Sequence, residues 1–176
     1  GYGCPGSLEG TYGSMTAVGV ASLVICKAML LGEEDAPGFA YKRIREVARG
    51  LVWLEDGFAA DRHPGIAAVK PGGMPDPPGG MRVPGGFGIS PQTFQYYWLY
   101  SAERVGMLLG LKYLGSHDWY REGAEWLLKE QRADGGWVNA AGSMIAPEPP
   151  LAATCFSLLF LKKATLPVVT PPEWRR

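Results

Sequence analysis

The chain has 176 residues, with 17 basic and 17 acidic side chains and a hydrophobic content of 47%. This length and composition predict one soluble globular unit with a sizeable core. Zero net charge argues against a general nucleic-acid or anionic-membrane binder, because such proteins depend on a basic surface. The cysteines Cys4, Cys26 and Cys155 show no regular spacing, which argues against a disulfide framework or a zinc site. Cys26 and Cys155 lie in apolar runs and are predicted to be small buried hydrophobes.

The first predicted helix is the apolar run 15–31, which carries one charge, Lys27. Ser14 is its expected N-cap. A helix that is apolar all round is expected to be buried on all sides. Because the run is short for a membrane span and contains Gly19, Ser22 and Lys27, a buried core helix is the preferred interpretation.

Residues 41–60 predict a second helix of a different kind. Apolar side chains recur at steps of three and four residues on one face, and charged side chains occupy the opposite face. This pattern is typical of an amphipathic helix at the protein surface. The apolar face comprises Ile44, Val47, Ala48, Leu51 and Leu54.

Glycine and proline dominate residues 62–90, which contain the run PGGMPDPPGG. No regular structure is expected to persist here, because proline lacks a backbone donor and glycine costs backbone entropy. A loop of this length has two interpretations: an insertion or partner-contact segment, which we favour, or a lid over a cavity. His63 is assigned to this loop.

A third, long helix is predicted from Gln92 to about Leu114, with Ser90 as its N-cap and Pro91 in its first turn. Apolar stripes cover most of its circumference, so it is expected to be largely buried. Aromatic side chains are concentrated in its first turns, at Phe94, Tyr96, Tyr97, Trp98 and Tyr100.

His117 and Asp118 predict the start of a fourth, amphipathic helix, and residues 151–160 predict a fifth, nearly uncharged one. The tail 165–176 is expected to be extended. Buried and amphipathic helices therefore alternate along the chain, which indicates two concentric layers. Internal repetition agrees with this: the runs LVICKA, LLGLKY and LLFLKK place Lys27, Lys112 and Lys162 at the ends of the three buried helices.

The most specific motif, GAEWLLKEQRADGGW, spans residues 123–137 and joins the fourth helix to a glycine turn. Its glutamine offers donors and an acceptor for the free backbone groups at a helix end. The glycines permit left-handed backbone, and the tryptophan is expected to stack over the junction. The residues assigned to this structural clasp are Gly123, Trp126, Gln131, Asp134, Gly135 and Trp137.

With a glutamine followed by Gly-x-Trp, the clasp resembles the QW repeat of squalene cyclases and the related repeat of prenyltransferase β-subunits. The runs SMTAVGVASLVIC, YYWLYSAERVGMLLGLK and TCFSLLFLKK are similar to the C-terminal repeats of bacterial proteins with prenyltransferase and squalene-oxidase repeats. The resemblance implies an all-α fold, an α/α toroid in which inner and outer helices alternate around a central apolar cavity. In that family the QW motif holds repeats together and does no chemistry.

Five helices are about half of what such a ring needs in that family. Residues 1–176 are therefore expected to form a single incomplete toroid domain, the C-terminal part of a longer repeat protein. An unpaired inner layer would expose a large apolar patch. The expected partners are thus the missing N-terminal repeats or a second copy of the chain.

The residues needed for the reactions of that family are absent from the sequence. A squalene-type cyclase takes its acid from an Asp-x-Asp-Asp motif, which the chain lacks; the acidic cluster at Glu33, Glu34 and Asp35 is interpreted as a solvated loop. His63 and His117 have no second ligand at zinc spacing, and no nucleophile elbow occurs. We therefore assign no catalytic residue, no metal ligand and no cofactor.

Binding without catalysis is compatible with the third helix. Aromatic π faces line isoprenoid cavities and stabilise carbocations, although ordinary core packing is the alternative interpretation. Glu103 and Arg104 need either structural partners on neighbouring helices or a polar site facing the cavity. The candidate cavity-lining residues are Phe94, Tyr97, Trp98, Tyr100, Glu103 and Arg104.

The leading functional hypothesis is a prenyltransferase/squalene-cyclase-like repeat domain that acts as a scaffold or binds an apolar ligand, isoprenoids included. The alternative is the product-shaping half of a terpenoid cyclase whose catalytic Asp motif lies upstream. Carbohydrate chemistry on the same fold would need paired carboxylates at glycosidase separation, which Glu103 alone does not supply. Neither a nucleic-acid partner nor a membrane span is expected.

Overall fold

A computed structural model describes residues 11–31, 41–66, 90–140 and 148–163. Within these residues the chain is all-helical, which confirms the predicted all-α fold class, and it contains no strand beyond an isolated bridge between Leu114 and His117. A short 3-10 turn, Tyr41–Arg43, precedes the second helix. The five helices are α1 (Gly13–Leu31), α2 (Arg45–Gly57), α3 (Gln95–Leu108), α4 (Trp119–Glu130) and α5 (Pro150–Lys162).

Helices α1, α3 and α5 lie side by side in one row, with α3 in the middle. They run in the same direction. The start of α1 at Gly13 contacts Trp98 near the start of α3, and Ile25 of α1 lines a cleft with Arg104 further along α3. Residues that precede α5 likewise meet the start of α3, where Glu148 accepts a hydrogen bond from the Tyr96 N–H.

Helices α2 and α4 cover one side of this row and run antiparallel to it. Helix α2 packs on α1, and α4 packs on α3 and α5. The first residue of α4, Trp119, lies against Gly106 near the end of α3, whereas Trp126 contacts Tyr96 near the beginning. The described helices thus form two layers, one of three helices and one of two.

Two glycines bring the covering helices close to the row. A Cβ on Gly50 of α2 would collide with Val20 of α1, and a Cβ on Gly123 of α4 would collide with the ring of Phe160 of α5. In each helix a half-buried tryptophan follows three residues later, Trp53 and Trp126 respectively. The sequence similarity between the two amphipathic helices therefore corresponds to the same mode of packing.

The ends of α3 differ from the prediction. A separate turn follows Ser90, whose Oγ accepts from the Gln92 N–H at 3.1 Å, and Phe94 then takes a left-handed conformation with φ 56° before the helix starts. The helix ends at Leu108 because Gly110 adopts φ 62° and turns the chain away. Leu114, which was predicted to be helical, is fully buried in the connection to α4.

The expectation that α1 is buried on all sides is wrong, and α5, predicted to be a buried helix, is exposed on one side as well. Each helix buries only the sides that meet its neighbours, and Met29 and Leu151 are 80% and 77% exposed. Cys26 and Cys155 are exposed as well, so the prediction that they are buried is also wrong. The predicted N-cap Ser14 lies inside the first turn of α1.

Helix α1 also meets the length and composition criterion for a membrane span. The window Gly13–Leu30 is long and apolar enough to cross a bilayer, and 39% of it is buried in the protein. The core helix of a soluble protein meets the same criterion, so this property does not test the expected absence of a span.

The beginning of the Gly/Pro-rich segment is packed into the core, contrary to the assignment of His63 to an open loop. The His63 ring is 1% exposed; its Nε2 accepts from the Ser14 N–H at 2.9 Å, and its Nδ1 lies 2.8 Å from the Thr93 carbonyl oxygen. It stacks on Trp98 with ring centroids 5.8 Å apart. Residues 67–89 and the tail 164–176 lie outside the described residues, as do Cys4 and the acidic cluster at 33–35.

Candidate ligand-binding site

On the side of the α1–α3–α5 row that faces away from α2 and α4, no helix of the described residues is packed. Large apolar side chains remain exposed along this side and along its two outer edges, where no further helix from the described part of the chain lies beside α1 or α5. They include Met29, Leu30, Leu151 and Leu158, which are between 54% and 81% exposed. We call this surface the open side.

A cleft of about 200 Å³ runs along the open side between α1 and α3. Helix α1 contributes apolar and small side chains, and α3 contributes two tyrosines and an arginine. No carboxylate lines it. The lining residues are Val18, Ala21, Ser22, Ile25, Tyr97, Tyr100, Ser101 and Arg104.

The tyrosines of the cleft belong to an aromatic group that continues onto α5. The Phe156 ring lies 5.4 Å from the Tyr97 ring and stacks on the Tyr100 ring at 5.3 Å with an interplanar angle of 23°. These three rings are half-buried, so parts of their faces and edges remain open to solvent. Contacts of this kind fix the ring orientations and form an apolar strip across two helices.

Arg104 supplies the only charge among the described residues that line the cleft. Its guanidinium donates to the Tyr100 hydroxyl at 3.0 Å and lies 5.7 Å from the centre of that ring. No carboxylate of the described residues pairs with it within 4.0 Å. The side chain is therefore held in place by an aromatic neighbour, and its charge is available to a ligand.

The structure brings together three of the six predicted cavity-lining residues: Tyr97, Tyr100 and Arg104. Trp98 is fully buried on the opposite side of α3, where its Nε1 donates to the Ala59 carbonyl at 2.9 Å. Glu103 is also fully buried, away from the cleft, and Phe94 precedes the helix. The ligand-binding role of the first three residues stays a prediction.

The sequence analysis did not find Phe156 or the α1 side of the cleft. Phe156 lies in the apolar run TCFSLLF, and nothing in that run shows which side chains face α3. Its position four residues from Phe160 was the available signal, because residues at this spacing share a helix face. Phe160 is fully buried against α4, and Phe156 lies one turn earlier on α5, where it packs against Tyr97 and Tyr100 of α3.

The predicted clasp closes the turn after α4 through hydrogen bonds of its own. The Gln131 side-chain amide donates to the Gly135 carbonyl at 2.9 Å, and Gly135 takes φ 82°. The Asp134 carboxylate accepts from the Gly136 N–H at 3.0 Å. Gln131 is exposed, so it shapes the turn locally and does not reach the next helix within the described residues.

Trp137 makes the connection between helices that was expected of the glutamine. Its side chain is 2% exposed and its Nε1 donates to the Leu127 carbonyl at 2.8 Å. Its backbone N–H donates to the Thr154 hydroxyl at 3.1 Å, which ties the turn to α5. Trp126 packs against Tyr96 of α3, with ring centroids 5.5 Å apart.

Glu148 provides a cap for α3 that the sequence did not reveal. One carboxylate oxygen accepts from the Tyr97 N–H at 2.7 Å, and the other accepts from the Tyr96 N–H and from the Asn139 side chain. Burial raises the pKa of this carboxyl, and the three hydrogen bonds oppose the rise. Burial and the charges of Glu130 and Glu148 also raise the pKa of Tyr96 to about 12.

We expect Glu148→Ala to lower the free energy of unfolding by about 1–3 kcal/mol, because it leaves the Tyr96 and Tyr97 N–H groups unpaired at the buried start of α3. Urea denaturation followed by circular dichroism measures this loss. Glu130→Ala is the matched control, since Glu130 is an exposed carboxylate. Equal stability of the two variants would show that the cap contributes nothing.

No group of three or more His, Cys, Asp or Glu residues that could hold a metal ion is found in the part of the chain that the structure describes. His117 pairs instead with Glu122 at 2.9 Å. Asp118 caps α4 as predicted, accepting from the Arg121 N–H at 3.1 Å.

Comparisons with known protein families, with curated proteins and with solved structures find no match to this chain.

Proposed function

We propose that this protein is a non-catalytic helical repeat module of the prenyltransferase/squalene-cyclase type that binds an apolar ligand, isoprenoids included, along its open side. The observation that carries the proposal is the aromatic strip of Tyr97, Tyr100 and Phe156 beside an apolar cleft. Binding sites for small molecules combine apolar and aromatic walls with a few polar groups that fix orientation. Here Arg104 and Ser22 are the polar groups on the cleft wall that are best placed for that role.

The size of the cleft limits how a ligand binds. Its volume of about 200 Å³ is smaller than the roughly 300–1,000 Å³ of pockets that enclose a drug-sized molecule. An extended isoprenoid would therefore place one segment in the cleft and lay the rest along the aromatic strip.

The second candidate is the product-shaping half of a terpenoid cyclase whose catalytic acid lies in another part of the protein. The tyrosine rings favour it, because π faces stabilise carbocations. Arg104 argues against it, since a guanidinium beside Tyr100 would repel a developing positive charge in the same cleft. The geometry therefore favours binding over cyclisation.

The exposed apolar surface of the open side also supports a scaffolding role. Soluble proteins rarely expose extended apolar surface without a partner. Further repeats of the same kind or a second copy of this chain would cover the outer edges of α1 and α5, which are also apolar. Ligand binding and assembly are compatible, because the cleft lies between α1 and α3 and away from the edge formed by α5.

The test is a titration of the full-length protein with farnesol, a neutral isoprenoid, followed by intrinsic fluorescence. We expect saturable binding that Tyr100→Ala weakens about tenfold, because truncation of an aromatic anchor at a binding surface costs more than about 1 kcal/mol. Tyr113→Ala is the matched control: Tyr113 is 49% exposed and lies outside the cleft. The affinity of Tyr113→Ala for farnesol should equal that of the wild type.

Two results would overturn the proposal: absence of saturable binding, or equal weakening by Tyr100→Ala and Tyr113→Ala. Incubation of the full-length protein with squalene and prenyl diphosphates separates the two candidates, because cyclised products would establish the cyclase alternative. Light scattering of the same samples reports whether the protein associates with a second copy.

A further inference from the structure

A second cleft, of about 550 Å³, lies where α3 and α5 end and α4 begins. Its walls contain three cations, from the α3–α4 connection, from α4 and from the end of α5. Its apolar part is contributed mainly by Met107 and Leu111. The lining residues of this basic cleft are Gly106, Met107, Gly110, Leu111, Lys112, Asp118, Trp119, Tyr120, Arg121 and Lys163.

The basic cleft carries an excess of positive charge. Lys112, Arg121 and Lys163 supply three cations and Asp118 supplies the one carboxylate, which leaves a net charge of +2 among the lining residues. The Asp118 carboxylate is engaged as the N-cap of α4. None of the three cations pairs with a carboxylate of the described residues within 4.0 Å.

Helix dipoles explain only part of this charge. Lysines near the ends of α3 and α5 are favourable, because helix C-termini carry partial negative charge. Arg121 lies in the first turn of α4, where the dipole disfavours a cation. A ligand anion between Arg121 and the two lysines would offset the unfavourable interaction of Arg121 with the helix dipole.

Lys163 is held in a defined position. It ends α5 in a left-handed conformation with φ 50°, which is uncommon for a residue with a side chain. Its ammonium group lies 3.8 Å from the centre of the Tyr120 ring. The Tyr120 hydroxyl donates to the Leu161 carbonyl at 2.8 Å and fixes that ring, so one wall of the cleft is preformed.

We propose that the basic cleft binds a small phosphorylated molecule, with its phosphate oxygens on Lys112, Arg121 and Lys163 and its organic part on Met107 and Leu111. Arginine and lysine are the side chains that recognise phosphate in proteins, the former through paired N–H donors. This site is separate from the ligand cleft on the open side, and the two share no lining residue.

Isothermal titration of the full-length protein with inorganic pyrophosphate at low ionic strength tests the proposal. We expect saturable binding that weakens about tenfold in Arg121→Gln and again in the double variant with Lys112→Gln, because each removes a charge-assisted hydrogen bond. Added salt should weaken binding as well, since the cations are exposed. Lys129→Gln is the matched control, because Lys129 is an exposed cation of α4 outside the cleft.

Circular dichroism establishes that each variant is folded. Lys163→Asn is a further single variant, chosen because asparagine tolerates the left-handed backbone at this position. The proposal is wrong if the wild type shows no saturable binding. It is equally wrong if Lys129→Gln weakens binding as much as Arg121→Gln, which would indicate attraction to cations in general. Farnesol binding does not enter this test, so the outcome is independent of the function proposed for the open side.

Discussion

Trp137→Ala is expected to lower the free energy of unfolding by about 3–5 kcal/mol. The substitution empties a fully enclosed space between α4 and α5, because the indole is 2% exposed. It also removes the hydrogen bond from the indole to the Leu127 carbonyl. Chemical denaturation monitored at two wavelengths gives the free energy of unfolding. The loss should appear as a lower denaturant concentration at the transition midpoint.

Trp126→Ala is the control for this prediction. Trp126 is the other large residue of the clasp, but it is only half-buried, and its ring packs against Tyr96 with centroids 5.5 Å apart. Trp126→Ala should therefore lower the free energy of unfolding clearly less than Trp137→Ala does. If the two losses are equal, or if Trp137→Ala costs less than about 1 kcal/mol, Trp137 does not join the turn to α5 in the manner described.

His63 is expected to make the fold sensitive to mild acid. Burial lowers its pKa from the ordinary 6.5 to about 4, and a hydrogen bond to the Thr93 carbonyl only partly offsets this. Above pH 6.5 the histidine is neutral in both states and its contribution is complete. Between pH 6.5 and 4 the unfolded chain takes up the proton first, so stability falls by about 3 kcal/mol, a loss that is complete below pH 4.

The reason is visible in the hydrogen bonds of the ring. Nε2 accepts from the Ser14 N–H, so the neutral ring carries its proton on Nδ1, next to the Thr93 carbonyl oxygen. Protonation of Nε2 would place its N–H against the Ser14 N–H, so that two donors would face each other. Glu148 acts in the opposite direction, because its raised pKa means that the folded state takes up that proton more readily as the pH falls.

Thermal denaturation at several pH values compares the wild type with His63→Phe, which keeps a ring against Trp98 but cannot titrate. The variant should be less stable by about 1–3 kcal/mol at pH 7, because the Ser14 N–H and the Thr93 carbonyl lose a partner. Its stability should fall less between pH 6.5 and 4 than that of the wild type. A slope in His63→Phe equal to that of the wild type would exclude His63 as the source of the pH dependence.

The helices could be predicted because their sequence periods are strong. The amphipathic faces of α2 and α4 are confirmed by the burial of Val47, Leu51, Leu54 and Leu127. The end of α3 could not be placed, because Leu111 and Leu114 continue its apolar spacing after Gly110 has turned the chain. Apolar spacing reports burial, and a connection that packs its leucines produces the same signal as a helix.

Exposure could not be predicted from composition. Helices α1 and α5 are more apolar in composition than α3, yet α3 is the helix with neighbours on most of its sides, because it lies in the middle of the row. The positions of Cys26 and Cys155 depend on that order, which the sequence of each helix alone does not contain. The cleft on the open side was therefore predicted only in its α3 half.

Contacts between distant parts of the chain were the least predictable. His63 reaches Ser14 and Thr93, which are 49 and 30 residues away, and Glu148 reaches Tyr97 across 51 residues. Both lie in proline-rich segments without periodicity, so no pattern distinguished them from surface loop residues. Their burial depends on the position of α3 between its neighbours.

The central position of α3 has a consequence for local unfolding. It contacts α1, α4 and α5, whereas α2 packs mainly on α1. In arrays of this kind each element is stabilised by its nearest neighbours, and opening begins where neighbours are fewest. Amide hydrogens of α3 should therefore exchange through global unfolding, and those at the outer edges of α1 and α5 through smaller fluctuations that leave α3 intact.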